Sequence, residues 1–190
     1  MVKKILGWLI DSELIEEQER EIIEYGLEQG CCAIGGIIVA VVTGALLNML
    51  WQSIVFIVTI VPLRMYAGGY HAGTRIKCTI ISGVLMLAAF CEIKLWKLSK
   101  MQCLFITLFE TIVLFLIIPV DGSLKLEEKE RIQYQRKGRI ILIAEFLICI
   151  GSIKKMHILI AKPITVVFGL VLLLDILAGI KKNSQNLITD

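Results

Sequence analysis

The sequence predicts an all-α fold: a polytopic membrane helix bundle of six transmembrane helices preceded by N-terminal amphipathic helices. Three observations carry that expectation. The 190 residues are 57% hydrophobic with a mean hydropathy of +0.80, which is too apolar for an ordinary soluble domain. Only 19% are charged, and those charges cluster between long uncharged runs, marking the parts of the chain that lie in water or among headgroups. The longest of these runs, residues 29–63, holds no charge over 35 positions. This composition excludes a disordered chain, a collagen-like chain and a secreted disulfide scaffold. The net charge of +3 comes without a basic stripe interleaved with aromatics, so nucleic acid is not an expected partner.

Each element follows from the pattern of charges. Residues 1–30 form an amphipathic segment, with Ile5, Leu6, Leu9, Ile10, Leu14, Ile22, Ile23 and Leu27 set among eight acidic residues between Asp11 and Glu28. This pattern suits helices lying on the membrane or on the rest of the protein. The apolar stretch after the basic start is short and reaches Asp11 without a small-residue cleavage site, so no signal peptide is expected to be removed. As one straight helix the 35-residue run would be about 52 Å long, against a hydrocarbon core of about 30 Å. It therefore reads as a hairpin over residues 31–64, with spans 31–47 and 51–64, Asn48 near the turn and Trp51 at an interface. Two spans follow within 76–120, a basic loop covers 121–139, and two more spans lie within 140–180. The fifth apolar run, 140–150, is short and must borrow residues from its flanks. The whole is expected to form a single integral membrane domain.

Loop charges test the count. Six spans with both termini cytoplasmic place fourteen Lys and Arg inside and six outside, as the positive-inside rule requires. Treating 31–63 as one span reverses the later loops and gives nine inside against eleven outside. The first arrangement also puts the connection after the second span on the cytoplasmic face.

That connection, residues 64–78, reads RMYAGGYHAGTRIKC. Here glycines, a histidine, a cysteine and basic residues converge at one membrane boundary. Gly68, Gly69 and Gly73 permit backbone conformations closed to other residues, so His71 is expected on a tight loop. In one continuous helix His71 and Cys78 would be separated by about 10.5 Å of rise, beyond side-chain reach; a folded-back loop could bring them together. An imidazole can take the thiol proton and leave a nucleophilic thiolate, favoured by the neighbouring charges of Arg75 and Lys77. Cys78 is thus the candidate nucleophile and His71 the candidate base. The alternative is a loop histidine and a packing cysteine. Six cysteines, at positions 31, 32, 78, 91, 103 and 149, lack the spacing of a zinc or dithiol centre, and the other five have no such histidine and glycine context.

The spacing R-x4-G-x-H-x6-C, met here by Arg64, Gly69, His71 and Cys78, resembles the signature of the accessory gene regulator B (AgrB) family of bacterial membrane cysteine endopeptidases. Chain length, the amphipathic start, the spans and the basic loop agree with that family over nearly the whole chain. The resemblance implies cleavage of a short quorum-sensing propeptide near its C-terminus, a thioester on Cys78, and closure of a thiolactone or lactone by the peptide's own Cys or Ser. His71 would act as base and then acid. Arg64 and Gly69 would either hold the loop or touch substrate, and Gly68, Arg75 and Lys77 would support it. Family precursors have an acidic C-terminal part, so Lys125, Lys129, Arg131, Arg136, Lys137 and Arg139 would attract it, or would simply anchor the chain to the membrane face. The implied setting is a multi-pass protein of the bacterial cell membrane, a homodimer, with no metal or organic cofactor.

Glu110, Glu145 and Asp175 lie within apolar spans, where an unpaired charge is costly. They read mainly as structural groups, though one of them could orient His71. Two other function classes fit the composition. In a small transporter or exporter these three carboxyls would line the pathway; in a non-enzymatic membrane scaffold no covalent intermediate would form. His157 is expected to be solvent-exposed.

Overall fold

The computed structural model describes Ser12 and residues 20–67, 75–97, 99–117, 128–155 and 157–189. These are helical without a strand: α1 (Arg20–Leu46), α2 (Leu50–Ala67), α3 (Arg75–Leu95), α4 (Lys100–Ile117), α5 (Glu128–Lys154) and α6 (Ile158–Thr189). Residues 1–39 and 40–190 form two compact units. Apart from Ser12, the described part of the first is the beginning of α1, which exposes Ile34, Ile37, Ile38 and Val39. The second holds the end of α1 and the other five helices.

Within the second unit α6 is the hub, packing on α2, α3, α4 and α5. Six successive residues, 163–168, are buried, so α6 has no outward stripe in this stretch, as expected of a helix enclosed by its neighbours. Phe168, Val167 and Val171 fill its contacts, and Phe56 of α2 meets Phe90 of α3 at 5.2 Å between ring centroids.

The outer helices are polar inside and apolar outside. On α4, Cys103, Thr107, Glu110 and Thr111 are buried with Leu114, whereas Phe105, Phe109, Ile112 and Leu116 are exposed at helical spacing. On α5, Glu145, Cys149 and Ser152 face inward while Ile140, Ile143, Leu147 and Ile148 face out. This inverts the pattern of a water-soluble helix and suits a hydrocarbon solvent. Lys100–Ile117 and Ile158–Gly179 are long and apolar enough to cross a membrane, and only 22% of the former is buried. α4 is therefore not the core helix of a soluble protein. Ala33–Leu46 and Leu50–Tyr66 are shorter apolar helices.

The polar side chains turned inward bond to one another across helices. Thr107 donates to the Cys103 carbonyl at 2.8 Å and lies 2.7 Å from the Thr165 hydroxyl. Thr165 in turn lies 3.0 Å from the Cys103 thiol. Thr165 also lies 3.1 Å from the Ala161 carbonyl, so its single proton serves either that carbonyl or the Thr107 hydroxyl, while the Cys103 thiol donates to Thr165. The Cys149 thiol of α5 approaches the Thr107 hydroxyl and the Ala161 carbonyl, each at 3.9 Å. The knot thus joins α4, α5 and α6.

Three short turns close one end of the bundle. After α1, Asn48 adopts φ 57°, a left-handed conformation that Asn tolerates better than most residues. Met49 N–H bonds to Gly44 O at 2.7 Å and Asn48 N–H to Ala45 O at 3.1 Å, the pair of bonds that ends a helix in a Schellman motif. Met49 itself is buried. The two helices then approach so closely that a Cβ on Gly44 would lie 2.5 Å from Ser53 Cβ, and Ser53 Oγ donates to Ala40 O at 2.8 Å. Before α4, Ser99 and Gln102 exchange side-chain to backbone bonds, a capping box. Between α5 and α6, His157 N–H bonds to Ser152 O at 2.8 Å.

Two boundaries differ from the sequence expectation. The stretch 20–46 is one continuous helix, so the described end of the amphipathic segment runs into the first apolar span. The basic stretch 121–139 is helical from Glu128 onward. Glu, Lys, Arg and Gln are good helix formers, and the short apolar run 140–150 is extended by them. At 27 residues, α5 is about 40 Å long and exceeds a hydrocarbon core of about 30 Å.

Gly44→Ala is expected to destabilise the bundle by about 1–3 kcal/mol through overpacking, read as a lower unfolding temperature in detergent. Adding Ser53→Gly should recover most of the loss, because the clash is with Ser53 Cβ; Ser53→Ala should not.

Candidate functional site

The end of the bundle opposite the three turns carries the segment singled out in the sequence. Buried Leu63 anchors the last turns of α2, which place half-buried Arg64 and Tyr66 just before the helix ends at Ala67. α3 begins at Arg75, so the backbone of Arg75, Lys77 and Cys78 forms its first turn. Gly68, Gly69 and His71 lie outside the described residues, as do the side chains of Arg75, Lys77 and Cys78. A helix N-terminus offers unsatisfied N–H groups and a partial positive charge. An anionic nucleophile or an oxyanion is stabilised at such a place.

Arg64 stands near enough to a carboxyl of the bundle core for its charge to act there. Asp175 on α6 is 2% exposed, and neither carboxylate oxygen has a hydrogen-bond partner among the described residues. The positive charge that acts on it is Arg64. α2 packs on α6, so the helix that carries Arg64 near its end lies against the hub helix.

The basic stretch reaches the same end. Tyr66 of α2 and Tyr134 of α5 lie 5.6 Å apart between ring centroids, an attractive tilted arrangement. Arg136 and Lys137 follow within the next turn of α5 and are exposed. Arg139 is half-buried with its guanidinium 4.8 Å from the centre of the Phe115 ring; it is a contact between α5 and α4. Lys125 lies outside the described residues, and Lys129 and Arg131 are helical with side chains outside them.

The three carboxyls of the spans do not form one group. Glu110 sits in the notch left by Gly169, where a Cβ would lie 2.8 Å from Oε1. Glu145 lies one helical turn from Cys149, and each of the two glutamates has one oxygen without a hydrogen bond among the described residues. Among those residues no three His, Cys, Asp or Glu converge as a metal site. Cys31 and Cys91 are exposed, and His157 is exposed. The pairing of Cys103 and Cys149 with Thr107 and Thr165 escapes sequence reading, because their separations of up to 62 positions carry no periodic signal.

The comparisons with known proteins give the family. The chain is 26% identical over 157 residues to AgrB-like protein 2 of Clostridium perfringens strain 13, covering 77% of this chain and 72% of the relative. An AgrB-like protein of Clostridium perfringens strain SM101 matches with the same identity and coverage. No solved structure matches. A family model described as accessory gene regulator B matches residues 2–177, and a match over that span of a helical, membrane-suited bundle means that the chain belongs to the accessory gene regulator B family.

Proposed function

We propose that this protein is a multi-pass membrane cysteine endopeptidase that cleaves the C-terminal part of a quorum-sensing propeptide and supports its cyclisation. The observation that carries the reading is the position of Cys78 in the first turn of α3, seven residues after His71, in a chain of this family. His71 takes the Cys78 proton, and the thiolate adds to the scissile carbonyl. The C–N bond breaks as His71 returns the proton to the leaving amine, which departs with the C-terminal fragment, leaving a thioester on Cys78. The peptide's own thiol or hydroxyl then gives its proton to His71 and adds to the thioester. Breaking the C–S bond frees Cys78, which recovers the proton, and the peptide leaves as a thiolactone or lactone.

Water competes with that second attack, so a site at the membrane boundary favours ring closure by excluding it. Binding the peptide with its nucleophile beside the thioester raises the effective concentration for closure. Free N–H groups at the start of α3 are the candidate oxyanion donors. Arg64 acts by holding the end of α2 against Asp175 and is a positioning residue. The exposed Arg136 and Lys137 attract an acidic precursor tail, and the Tyr66–Tyr134 contact keeps that basic turn near the site. Six spans with both termini and the 64–78 segment cytoplasmic fit the distribution of Lys and Arg.

On co-expression with a cognate precursor, wild type is expected to yield cleaved peptide and a thiol-sensitive peptide adduct. Both should disappear in Cys78→Ala. Cleavage that persists in that variant sinks the assignment, and peptide release without cleavage would favour the transporter reading. Asp175→Asn should slow adduct formation in single turnover by about tenfold or more, as small misplacements of reacting groups do, with precursor affinity unchanged. Reversing charge in Arg136→Glu with Lys137→Glu should raise KM for an acidic-tailed precursor and leave kcat unchanged; equal effects on a precursor with a neutralised tail would contradict the docking role.

A further inference from the structure

The geometry points to a binding site for one anionic phospholipid at the end of the bundle opposite Cys78. A pocket of about 240 Å³ opens there between the α1–α2 turn, the end of α3 and the start of α6, lined by Met49, Gln52, Ile93, Lys94, Leu159 and Lys162. Among the described residues no acidic one lines it, so two ammonium groups stand there against apolar walls. Lys162 is held in place, because its Nζ donates to the Trp96 carbonyl at 2.8 Å and keeps further protons for a ligand. Lys94 is exposed and makes no hydrogen bond among the described residues, so its charge is available.

The surroundings select the ligand's other half. Met49 and Ile93 are buried and close the inner wall, whereas Leu159 is 56% exposed beside the lysines. Trp51 and Trp96, both exposed at this same end, suit the headgroup level of a bilayer. A ligand that meets two cations and an apolar flank at that depth is a phosphodiester carrying acyl chains. Ammonium groups at that depth hold a phosphodiester by charge-assisted hydrogen bonds. The volume is below the roughly 300–1,000 Å³ of pockets that engulf drug-sized molecules, so it takes a headgroup and leaves the chains along the helix surface. A free phosphate shares the charge but gains nothing from Leu159.

The test is native mass spectrometry of the purified, delipidated full chain titrated with phosphatidylglycerol or phosphatidylcholine of identical acyl chains. Wild type is expected to bind one phosphatidylglycerol per chain in preference to phosphatidylcholine. Each lysine should contribute about fivefold to that preference, so Lys94→Gln lowers it about fivefold and Lys94→Gln with Lys162→Gln abolishes it. Lys154→Gln with Lys155→Gln, which neutralises exposed lysines at the same end but outside the pocket, should leave it intact. Equal binding of the two lipids, an unchanged preference in Lys94→Gln, or the same loss in the Lys154 and Lys155 variant each overturns the site. So does displacement of the lipid by millimolar inorganic phosphate, which would mean that the acyl chains make no contribution. The exposed Lys94→Gln variant keeps the test decisive should the double variant fail to fold.

Discussion

Everything in this bundle depends on where its polar side chains can go once helices are placed in hydrocarbon. A lipid-facing hydroxyl, thiol or carboxyl finds no partner there, and each unsatisfied group carries a cost. The chain answers by turning such groups toward α6. Thr107, Thr165, Cys103 and Cys149 then satisfy one another across three helices, while phenylalanine, leucine and isoleucine cover the outside of α4 and α5. Hydrogen bonds of this kind average only about 0.6 kcal/mol each in membrane proteins. Their larger effect is on register, since a rotation of α4 would carry Thr107 and Glu110 toward lipid and bring Phe105 and Phe109 inward.

The hub helix connects the two ends of the molecule. Near its start Lys162 fastens to the α3–α4 turn through the Trp96 carbonyl. Near the other end lies buried Asp175, on which the charge of Arg64 acts from three residues before the close of α2. Between them runs an enclosed stretch of α6 whose packing leaves little freedom to slide. The end of α2 is thus packed against the core, and Cys78 stands on the first turn of α3. The basic turn of α5 is brought to the same end by Tyr66 and Tyr134. Cys78, Arg64 and the basic turn of α5 thus share one end of the bundle, although most of α3 and the whole of α4 lie between Cys78 and Arg136 along the chain.

Much of the fold was legible in the residues. The uncharged stretch 29–63 is too long for one crossing, and Asn48 marks its turn because a short polar side chain tolerates a positive φ. Helix ends in the basic stretch were less legible: Lys and Arg signal a membrane flank equally well in a loop and in a helix, so nothing in the charge pattern placed the start of α5 at Glu128. The capping box at Ser99 and Gln102 is local and readable in principle. The contact of Gly44 with Ser53 is not, since a glycine in an apolar run looks the same whether a second backbone approaches it or lipid does.

For the candidate site the division is sharper. The sequence by itself determined the chemistry available, because a thiol, an imidazole and glycines within fifteen positions are a local pattern that needs no fold to be seen. It also determined that the chain is suited to a membrane, since hydropathy adds up along the chain. Which threonine meets Cys103, which ring Arg139 covers, and where two lysines from different helices enclose a pocket were decided only by the tertiary structure. Those partners lie on different helices, and their meeting depends on how each helix is rotated about its own axis. That rotation is settled by the simultaneous demand of all the helices to hide their polar faces together.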